Sequence, residues 1–342
     1  MQPANLPSSS LFAAVRSSVL ATIARKLDDS RQNTDLLLRR HGISRSLLDD
    51  PYGAVPMGAY LAFFDDATVQ MRDPALGARL GLEIRAGDVG PVGILLSLSS
   101  SIATGLHRFA RYTSALQHMT EASFVETADA HVFSYRIATD KAWPREQDAE
   151  FSMVSLMQIL RSGFGSRTPP LGVQFEHPAP ADTSVLEKCF RCPLQFGQAA
   201  NRILIDPEFS KQGVRVEDEP LITALERHIA ELIGLIPEAD TVTQQIEALV
   251  SATLGRAPVT LVALAARMGE SPRTLQRKLS QEGTSLRQIV TDRRRATADR
   301  LLALGTRVGD VATALGYADG TAFWRARKGW EENAPGPQEP DA

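Results

Sequence analysis

The chain has 342 residues, 43% of them hydrophobic, and a formal net charge of −3, so it is long enough for two domains with buried cores. Only two cysteines occur. Because no apolar stretch approaches the length of a membrane helix and no secretion signal begins the chain, we expect a cytoplasmic protein with no membrane partner.

The first two-thirds of the chain mix helical and strand-like patterns. We predict a disordered lead over 1–14, an α+β domain over 15–210 and a helical linker over 211–255. Helices are predicted over 11–27, 34–40, 56–71, 76–82, 104–118 and 149–163. Alternating apolar residues predict strands over 122–126, 131–137, 171–177, 194–196 and 202–205, with a hairpin turn at Ala128 and Asp129.

The glycine-rich segment 87–97 does not have the pattern of a nucleotide-binding loop. It lacks the Lys-Ser/Thr pair of a phosphate loop and the glycine order of a dinucleotide site. Gly90 and Gly93 are therefore predicted to allow close packing of the backbone. No grouping of nucleophile, base or paired carboxylates occurs, so we predict no enzyme, no cofactor and no metal.

Cys189 and Cys192 form a Cys-x-x-Cys pair. Zinc would need two more ligands at suitable spacing, and none follows. We predict that the two side chains pack in the core, with redox sensing as the alternative.

Two helices, over 220–236 and 242–254, are predicted to join the halves of the chain. One face of the first helix carries a repeat of large apolar residues, namely Leu221, Leu225, Ile229, Leu232 and Ile236. This face either packs on the chain's own domain or forms the seam of a homodimer.

The C-terminal part contains two patterns typical of helix-turn-helix motifs. In the first, the apolar stripe of 261–268 predicts a short helix that Thr260 caps and Gly269 ends. Ser271 is predicted to cap the following helix, with Pro272 at its first position.

The second helix of this motif has an apolar side and a polar side. Leu275 and Leu279 lie four residues apart and face inward, which leaves Arg273, Gln276 and Arg277 pointing outward. Arg and Gln can pair bidentately with base edges in the major groove, which the N-terminal part of such a helix enters. The pattern therefore predicts DNA reading.

The second motif repeats this arrangement. Its first helix, over 308–315, ends at Gly316, and Asp319 is predicted to cap the next helix, from which Phe323 and Trp330 pack inward. The outward residues are Thr321, Trp324 and Arg325. Since Gly320 has no side chain and weakens the helix start, we expect a poorer reading surface than in the first motif.

A single long helix over 285–304 is predicted to connect the two motifs, which gives an all-α domain over 256–330. One face of this helix carries Leu286, Ile289, Val290, Arg293, Ala296, Thr297 and Leu301. Two reading helices in adjacent major grooves on one side of the duplex must lie roughly 34 Å apart.

The basic residues are concentrated in this C-terminal domain. Residues 256–330 carry fourteen Lys and Arg against six Asp and Glu, whereas the rest of the chain is acidic. A basic module on an acidic body is typical of a DNA-binding protein with a separate domain of another role. Arg293, Arg294 and Arg295 either form a solvated helix face or contact phosphate.

These patterns resemble the DNA-binding domain of the AraC/XylS family of bacterial transcription regulators. The carrying residues are Leu-Ala-Ala-Arg-Met-Gly-Glu-Ser-Pro-Arg-Thr-Leu-Gln-Arg-Lys-Leu ending at Leu279, then Gly283, Arg294-x-x-x-Ala298, Val311-Ala-x-x-Leu-Gly-Tyr and Ala322-Phe-x-Arg-Ala. By this resemblance, the DNA-contacting residues are Ser271, Arg273, Thr274, Gln276, Arg277, Arg294, Thr321, Trp324 and Arg325.

The N-terminal domain resembles the arabinose-binding-like domain of one subgroup of that family. The resemblance rests on Gly87-Asp-Val-Gly-x-x-Gly, Phe175-Glu-His-Pro-Ala-Pro180, and Cys192-Pro-x-x-Phe-Gly197 followed by Asn201. It implies a sensor domain that binds a small-molecule effector or mediates dimerisation. The residues considered for a pocket, with core packing as the alternative, are Tyr135, Met153, Met157, Phe175 and His177.

The chain departs from the family pattern after Ala326. The family usually has an aromatic residue where this chain has Arg327, and a basic or polar residue at Gly329. Residues 331–342 contain three prolines and four acids, which predicts a disordered acidic tail. An alternative function is therefore a degenerate regulator that acts by heterodimerisation because its second DNA-reading motif is impaired.

The resemblance implies a sequence-specific regulator of transcription located at the nucleoid. Its expected partners are double-stranded promoter DNA, a small-molecule effector, a second copy of the chain and, for an activator, RNA polymerase.

Overall fold

A computed structural model describes residues 14–29, 33–50, 53–113, 116–117, 120–138, 145–165, 170–234 and 241–332. The predicted disordered lead lies outside the described residues up to residue 13, and the predicted acidic tail lies outside them from residue 333. Ala14 is the first residue of a strand, and Glu332 is the last residue of a helix.

The helices of the N-terminal domain surround an apolar core. They are α1 (Ser17–Asp29), α2 (Thr34–Arg40), α3 (Arg45–Asp49), α4 (Met57–Met71), α5 (Leu76–Leu82), α6 (Gly90–Leu98), α7 (Ile102–Tyr112), α8 (Glu146–Phe164), α9 (Ser184–Phe190) and α10 (Pro207–Lys211). The helix predicted over 104–118 is shorter at its C-terminal end, since α7 ends at Tyr112. The start of the helix predicted over 11–27 is wrong, because residues 14–16 form a strand.

Two sheets complete this domain. Their strands are β1 (Ala14–Arg16), β2 (Ala54–Pro56), β3 (Thr120–Glu126), β4 (His131–Ile137), β5 (Gly172–Gln174), β6 (Leu194–Gln195) and β7 (Asn201–Ile205). β1 and β2 form a small antiparallel pair, and the larger sheet has the order β3-β4-β7-β5-β6. Only β5 and β6 pair in parallel among the described strands of that sheet.

The C-terminal part is helical throughout its described residues. Its helices are α11 (Glu219–Gly234), α12 (Val242–Thr253), α13 (Leu261–Arg267), α14 (Pro272–Gln281), α15 (Leu286–Ala303), α16 (Val308–Ala314) and α17 (Gly320–Glu332). The mixed α and β N-terminal domain and the helical C-terminal region both match the predicted fold class.

The large sheet is covered on both faces. Phe133 pairs with Phe124 on one side and Ile203 on the other, and all three belong to the apolar core. Alternate side chains of a strand point to opposite faces, and the opposite face packs against α12, where the Ser123 hydroxyl donates to the Ala248 carbonyl at 3.1 Å. The sheet therefore lies between its own core and the C-terminal part.

Helix α11 packs on the N-terminal domain. Ile222 and Ile229 are buried against Val92 and Leu95, whereas Leu221 is 43% exposed. Leu225 and Ile229 of the predicted face thus pack within the chain, Leu221 does not, and Ile236 lies outside the described residues.

Of the two glycines singled out in 87–97, Gly93 allows the predicted close packing, whereas a Cβ atom at Gly90 would meet nothing within 4 Å. Gly90 has a φ of +69°, and a Cβ atom at Gly93 would meet the carbonyl oxygen of Ala86. Larger residues at either position would disturb the entry into α6.

Both cysteines are free thiols, and Cys189 is buried in the apolar core. Burial raises the pKa of both thiols, that of Cys192 to about 11. Since the thiolate is the reactive form, this setting supports the packing interpretation.

Within the described residues, there is no helix able to cross a membrane and no group of side chains able to hold a metal.

Candidate nucleic-acid interface

The first helix pair, α13 and α14, is fixed at both helix starts by the predicted caps. The Thr260 hydroxyl accepts from the Ala263 amide at 3.2 Å, and the Ser271 hydroxyl accepts from the Thr274 amide at 3.1 Å. Gly269, between the helices, has a φ of +67°, which glycine adopts without strain. These contacts set the direction in which α14 leaves the turn.

One side of α14 is held in an apolar core. Leu275 and Leu279 are buried with Leu264 of α13 and with Ile246 and Val250 of α12. Deep burial of the two leucines prevents α14 from turning about its axis, so its opposite face has a fixed direction.

That opposite face presents Arg273, Gln276 and Arg277, and all three are exposed. Ser271 and Thr274, also predicted to contact DNA, lie at the start of the helix with their hydroxyl oxygens 2.8 Å apart. The structure thus brings these five predicted residues together on the N-terminal half of α14.

The second helix pair, α16 and α17, has the same construction. The Asp319 carboxylate caps α17 by accepting from the Ala322 amide at 2.7 Å. Phe323 is fully buried, with its ring 6.1 Å from those of Tyr317 and Trp330. The predicted cap and the predicted inward side chains are confirmed.

The outward face of α17 carries the other predicted residues. Thr321 and Arg325 are exposed, and Trp324 is 50% exposed. A half-exposed tryptophan beside an exposed arginine gives this face an apolar as well as a cationic component.

Arg327, which replaces the aromatic residue usual in the family pattern, does not enter the core. Its guanidinium contacts Asp299 of α15 at 3.0 Å and lies 5.4 Å from the ring centre of Trp324. Helix α17 continues past this position to Glu332. In the structure, Phe323 and Trp330 remain packed in the core of this helix pair despite the charge at position 327.

The three consecutive arginines of α15 have contacts within the protein. The Arg294 guanidinium lies 4.7 Å from the centre of the Tyr317 ring, and Arg295 donates to the Trp330 carbonyl at 2.8 Å. Arg293 is buried and donates to Glu121 of β3. For Arg293, neither the solvated helix face nor the phosphate contact offered from sequence holds, because its side chain is buried against Glu121.

Glu121 lies at the centre of the contact between the two parts of the chain. Besides Arg293, it accepts from the Ser251 hydroxyl of α12 at 2.6 Å, and the Arg136 guanidinium is 3.6 Å away. Burial raises the pKa of Glu121, a cost that the surrounding donors offset in part.

Glu176 forms a second charged contact across the same boundary. It contacts Arg145 at 2.6 Å and Arg136 at 3.5 Å within its own domain, and Arg300 of α15 at 3.2 Å. Burial by itself would raise its pKa, but the three guanidinium groups lower it to about 2. Glu176 is therefore ionised at neutral pH.

Arg202 of β7 joins the sheet to the end of α12. Its guanidinium donates to the carbonyl oxygens of Ser251 and Leu254, the latter at 2.9 Å, and to the Gln174 amide oxygen at 2.9 Å. Cations at a helix C-terminus satisfy its free carbonyls and interact favourably with its dipole.

Sequence reasoning missed these residues for one reason. Glu121, Arg136 and Arg202 occupy the polar positions of alternating strands, a pattern that normally indicates a solvent-facing side. The local sequence contained no signal that distinguishes a buried charged face from a solvent-facing one.

Two family models match this chain. The arabinose-binding domain of AraC transcription regulators matches residues 33–214, and a helix-turn-helix domain matches residues 264–337. The first match alone covers more than half of the chain.

Curated relatives match over most of their length. The HTH-type transcriptional regulator VirS of Mycobacterium tuberculosis is 23% identical over 299 residues, which cover 86% of each chain. The ornithine utilization regulator of Pseudomonas aeruginosa is 22% identical over 315 residues, 87% of this chain and 91% of the relative. These relatives and both family models are those of transcription regulators, not of enzymes.

A search of solved structures finds the transcriptional regulator CdpR from Pseudomonas aeruginosa. The match covers 88% of this chain and 94% of that chain, at 19% identity and a TM-score of 0.41.

Proposed function

This chain belongs to the AraC family of transcription regulators, and on that premise we propose that it recognises specific sequences in duplex DNA through the exposed face of α14. The single observation that carries the proposal is the row Arg273, Gln276 and Arg277, held outward by the burial of Leu275 and Leu279. Arg pairs bidentately with guanine and Gln with adenine in the major groove.

The second helix pair is proposed as a second reading unit. Its exposed residues Thr321, Trp324 and Arg325 lie on a helix that is capped and packed like α14. The connecting helix α15 has 18 residues and so is about 27 Å long at 1.5 Å per residue. A rigid spacer of this length is compatible with two helices that enter successive major grooves, roughly 34 Å apart.

Phosphate contacts are proposed to supply much of the affinity. The net positive charge of residues 256–330 favours approach to the DNA backbone. Arg294 is proposed as a phosphate-contacting residue, since a guanidinium stacked on an aromatic ring can still donate from its edge.

Control by the N-terminal domain is the second part of the proposal. Glu121 and Glu176 contact Arg293 and Arg300 of the helix that spaces the two pairs. A small-molecule effector that shifts the sheet would therefore change the position of α15. From the family alone, we also propose that the chain forms a homodimer and, if it is an activator, contacts RNA polymerase. It would act at the nucleoid, in the cytoplasm.

The test is the selection of binding sites from random duplexes by the purified full-length chain. Arg277→Ala is expected to weaken binding to the selected site by about 1–3 kcal/mol and to relax one base position. Arg227→Ala, on the exposed surface of α11, removes the same charge away from α14 and serves as the matched control.

Two outcomes would contradict the proposal. Equal affinity of Arg277→Ala and the unmodified chain would remove this residue from the reading face. Failure to enrich any sequence, with the Arg273→Ala/Arg277→Ala double variant binding equally, would remove α14 as the reader.

A further inference from the structure

A cavity of about 70 Å³ lies inside the N-terminal domain, away from the DNA-reading helices. It is bounded by α1, α4, α7, α8 and β4. Its wall is mainly aromatic and aliphatic, with Phe109, Phe133, Phe151, Met153 and Leu156 among its members. No charged side chain is among the described residues that line it.

Two polar groups in this wall have incomplete hydrogen bonding. Ser155 is 5% exposed, and its hydroxyl has no hydrogen-bond partner among the described residues. Among the described residues, the Gln117 amide contacts the Tyr135 hydroxyl at 3.2 Å and the sulfur of Met57 at 3.6 Å and has no other hydrogen-bond partner. Buried polar groups nearly always have good partners, so each such exception calls for an explanation.

The hydroxyl of Tyr135 does not satisfy Gln117. A phenol has one proton to donate, and the Asp148 carboxylate lies 2.6 Å from the Tyr135 oxygen. The other carboxylate oxygen of Asp148 accepts from Tyr60 at 3.0 Å. Asp148 therefore holds both tyrosines in place in the wall of the cavity, and among the described residues the Gln117 oxygen is left without a donor.

We propose that this cavity binds a compact, uncharged molecule with an apolar body and a single hydroxyl group that hydrogen-bonds Ser155 and Gln117. A hydroxyl both donates and accepts, so it matches a serine hydroxyl and an amide oxygen alike. A cavity of roughly 150 Å³ accommodates the six non-hydrogen atoms of benzene, so this one accommodates about three or four. Short-chain alcohols have this size and chemistry.

The cavity lies next to an element that leads to the C-terminal part. Phe109 and Leu116 line it and also pack in the cluster that holds Ile222 and Ile229 of α11. A molecule bound in the cavity would therefore change the packing of Phe109 and Leu116 against α11. The inference that such binding regulates the protein rests on the proposed function. The inference that the cavity binds this class of molecule does not.

The test uses the full-length chain without DNA, with ¹³C-methyl-labelled methionine. The chain has seven methionines, and Met153→Leu identifies the resonance of the residue in the cavity wall. Titration with 1-propanol is expected to shift the Met153 signal in a saturable manner. Methionines away from the cavity should move only with the bulk solvent.

Two comparisons test the role of the hydroxyl. Ser155→Ala should weaken 1-propanol binding about fivefold but leave the binding of 1-chloropropane, which has no hydroxyl, unchanged. Ser162→Ala is the matched control, since that hydroxyl lies on the same helix, outside the cavity, and donates to the Ile159 carbonyl. Because the Ser155 hydroxyl has no hydrogen-bond partner among the described residues, its removal should not impair folding.

Some results would overturn the inference. Shifts that do not saturate, or that are equal at all methionines, would mean a packing cavity only. Equal effects of Ser155→Ala and Ser162→Ala would remove the hydroxyl-binding role. Since DNA binding is measured separately, a chain that binds 1-propanol but no DNA would contradict the proposed function and leave this inference standing.

Discussion

At the scale of single residues, burial on one side of a helix determines what the other side can do. Leu275 and Leu279 fix the rotation of α14, and Arg273, Gln276 and Arg277 follow from that rotation by helical geometry. The local sequence was sufficient here because the caps, the turn glycine and the apolar spacing all indicate the same structure.

Arg327 illustrates a residue whose effect depends on its surroundings. Its side chain is 24% exposed, and its partner Asp299 is 55% exposed. Exposed ion pairs contribute about 0–1 kcal/mol. The charge therefore neither loosens the core greatly nor stabilises it much.

We expect Arg327→Phe to leave the affinity for a selected DNA site unchanged within about twofold, because Phe323 and Trp330 already fill the core of the second helix pair. Fluorescence anisotropy with the selected duplex measures this. A large gain in affinity would instead favour the alternative function, a degenerate regulator whose second reading motif is impaired.

At the scale of elements, the contact between β3 and α15 is a buried ion pair. Arg293 and Glu121 are 8% and 5% exposed. Removing one partner of such a pair leaves the other charge buried, which commonly costs 3–5 kcal/mol. The pair therefore fixes the position of α15 relative to β3, even where its net contribution to stability is small.

Arg293→Met is expected to lower the free energy of unfolding by about 3 kcal/mol, the lower end of that range, since Arg136 and Ser251 still contact Glu121. Urea denaturation measures it. Arg287→Met, at an exposed position of the same helix, should change stability by less than about 0.5 kcal/mol. Similar losses for both variants would contradict the role of the pair.

Glu176 predicts a dependence of stability on pH. Its pKa in the folded chain is about 2, below its ordinary value of 4.5, so the folded state binds its proton less readily than the unfolded state. The stabilisation is complete above about pH 4.5 and is lost as the pH falls towards 2.

Urea denaturation of the unmodified chain and of Glu176→Gln between pH 6 and pH 3 isolates this effect. The unmodified chain should lose more stability over this range, because glutamine has no charge to lose. Parallel losses in the two chains would show that Glu176 is not the group responsible.

At the scale of the whole molecule, charge separates the two parts of the chain. Residues 256–330 are basic and the remainder is acidic, so the small net charge conceals a dipolar distribution. The reading faces of α14 and α17 stay exposed while α12 packs on the large sheet and α15 reaches β3 through the contact of Arg293 with Glu121. The contact with the N-terminal domain therefore leaves access to DNA open.

Binding to DNA should weaken steeply with salt, because a protein that neutralises phosphates releases counterions from the duplex. With about six to ten phosphate contacts, affinity should fall about 10³- to 10⁵-fold between roughly 50 and 200 mM salt. Anisotropy titrations at several salt concentrations measure the slope. A slope near zero would argue against DNA binding driven by the basic domain.

The sequence by itself determined the local features of this protein. Caps such as Ser271 and Asp319, turn glycines and the exposed row of α14 depend on neighbours within about four residues, so they can be read directly. The same holds for most helices and for the hairpin of β3 and β4.

Only the tertiary structure decided what covers the polar side of the large sheet. The alternation of polar and apolar residues along the strands placed Glu121, Arg136 and Arg202 on one face of the sheet. It cannot tell whether that face meets water or the buried partners that α12 and α15 provide. The cavity beside Ser155 depends in the same way on five elements that are distant in sequence. Such features arise from the packing of separate elements, for which local periodicity contains no information.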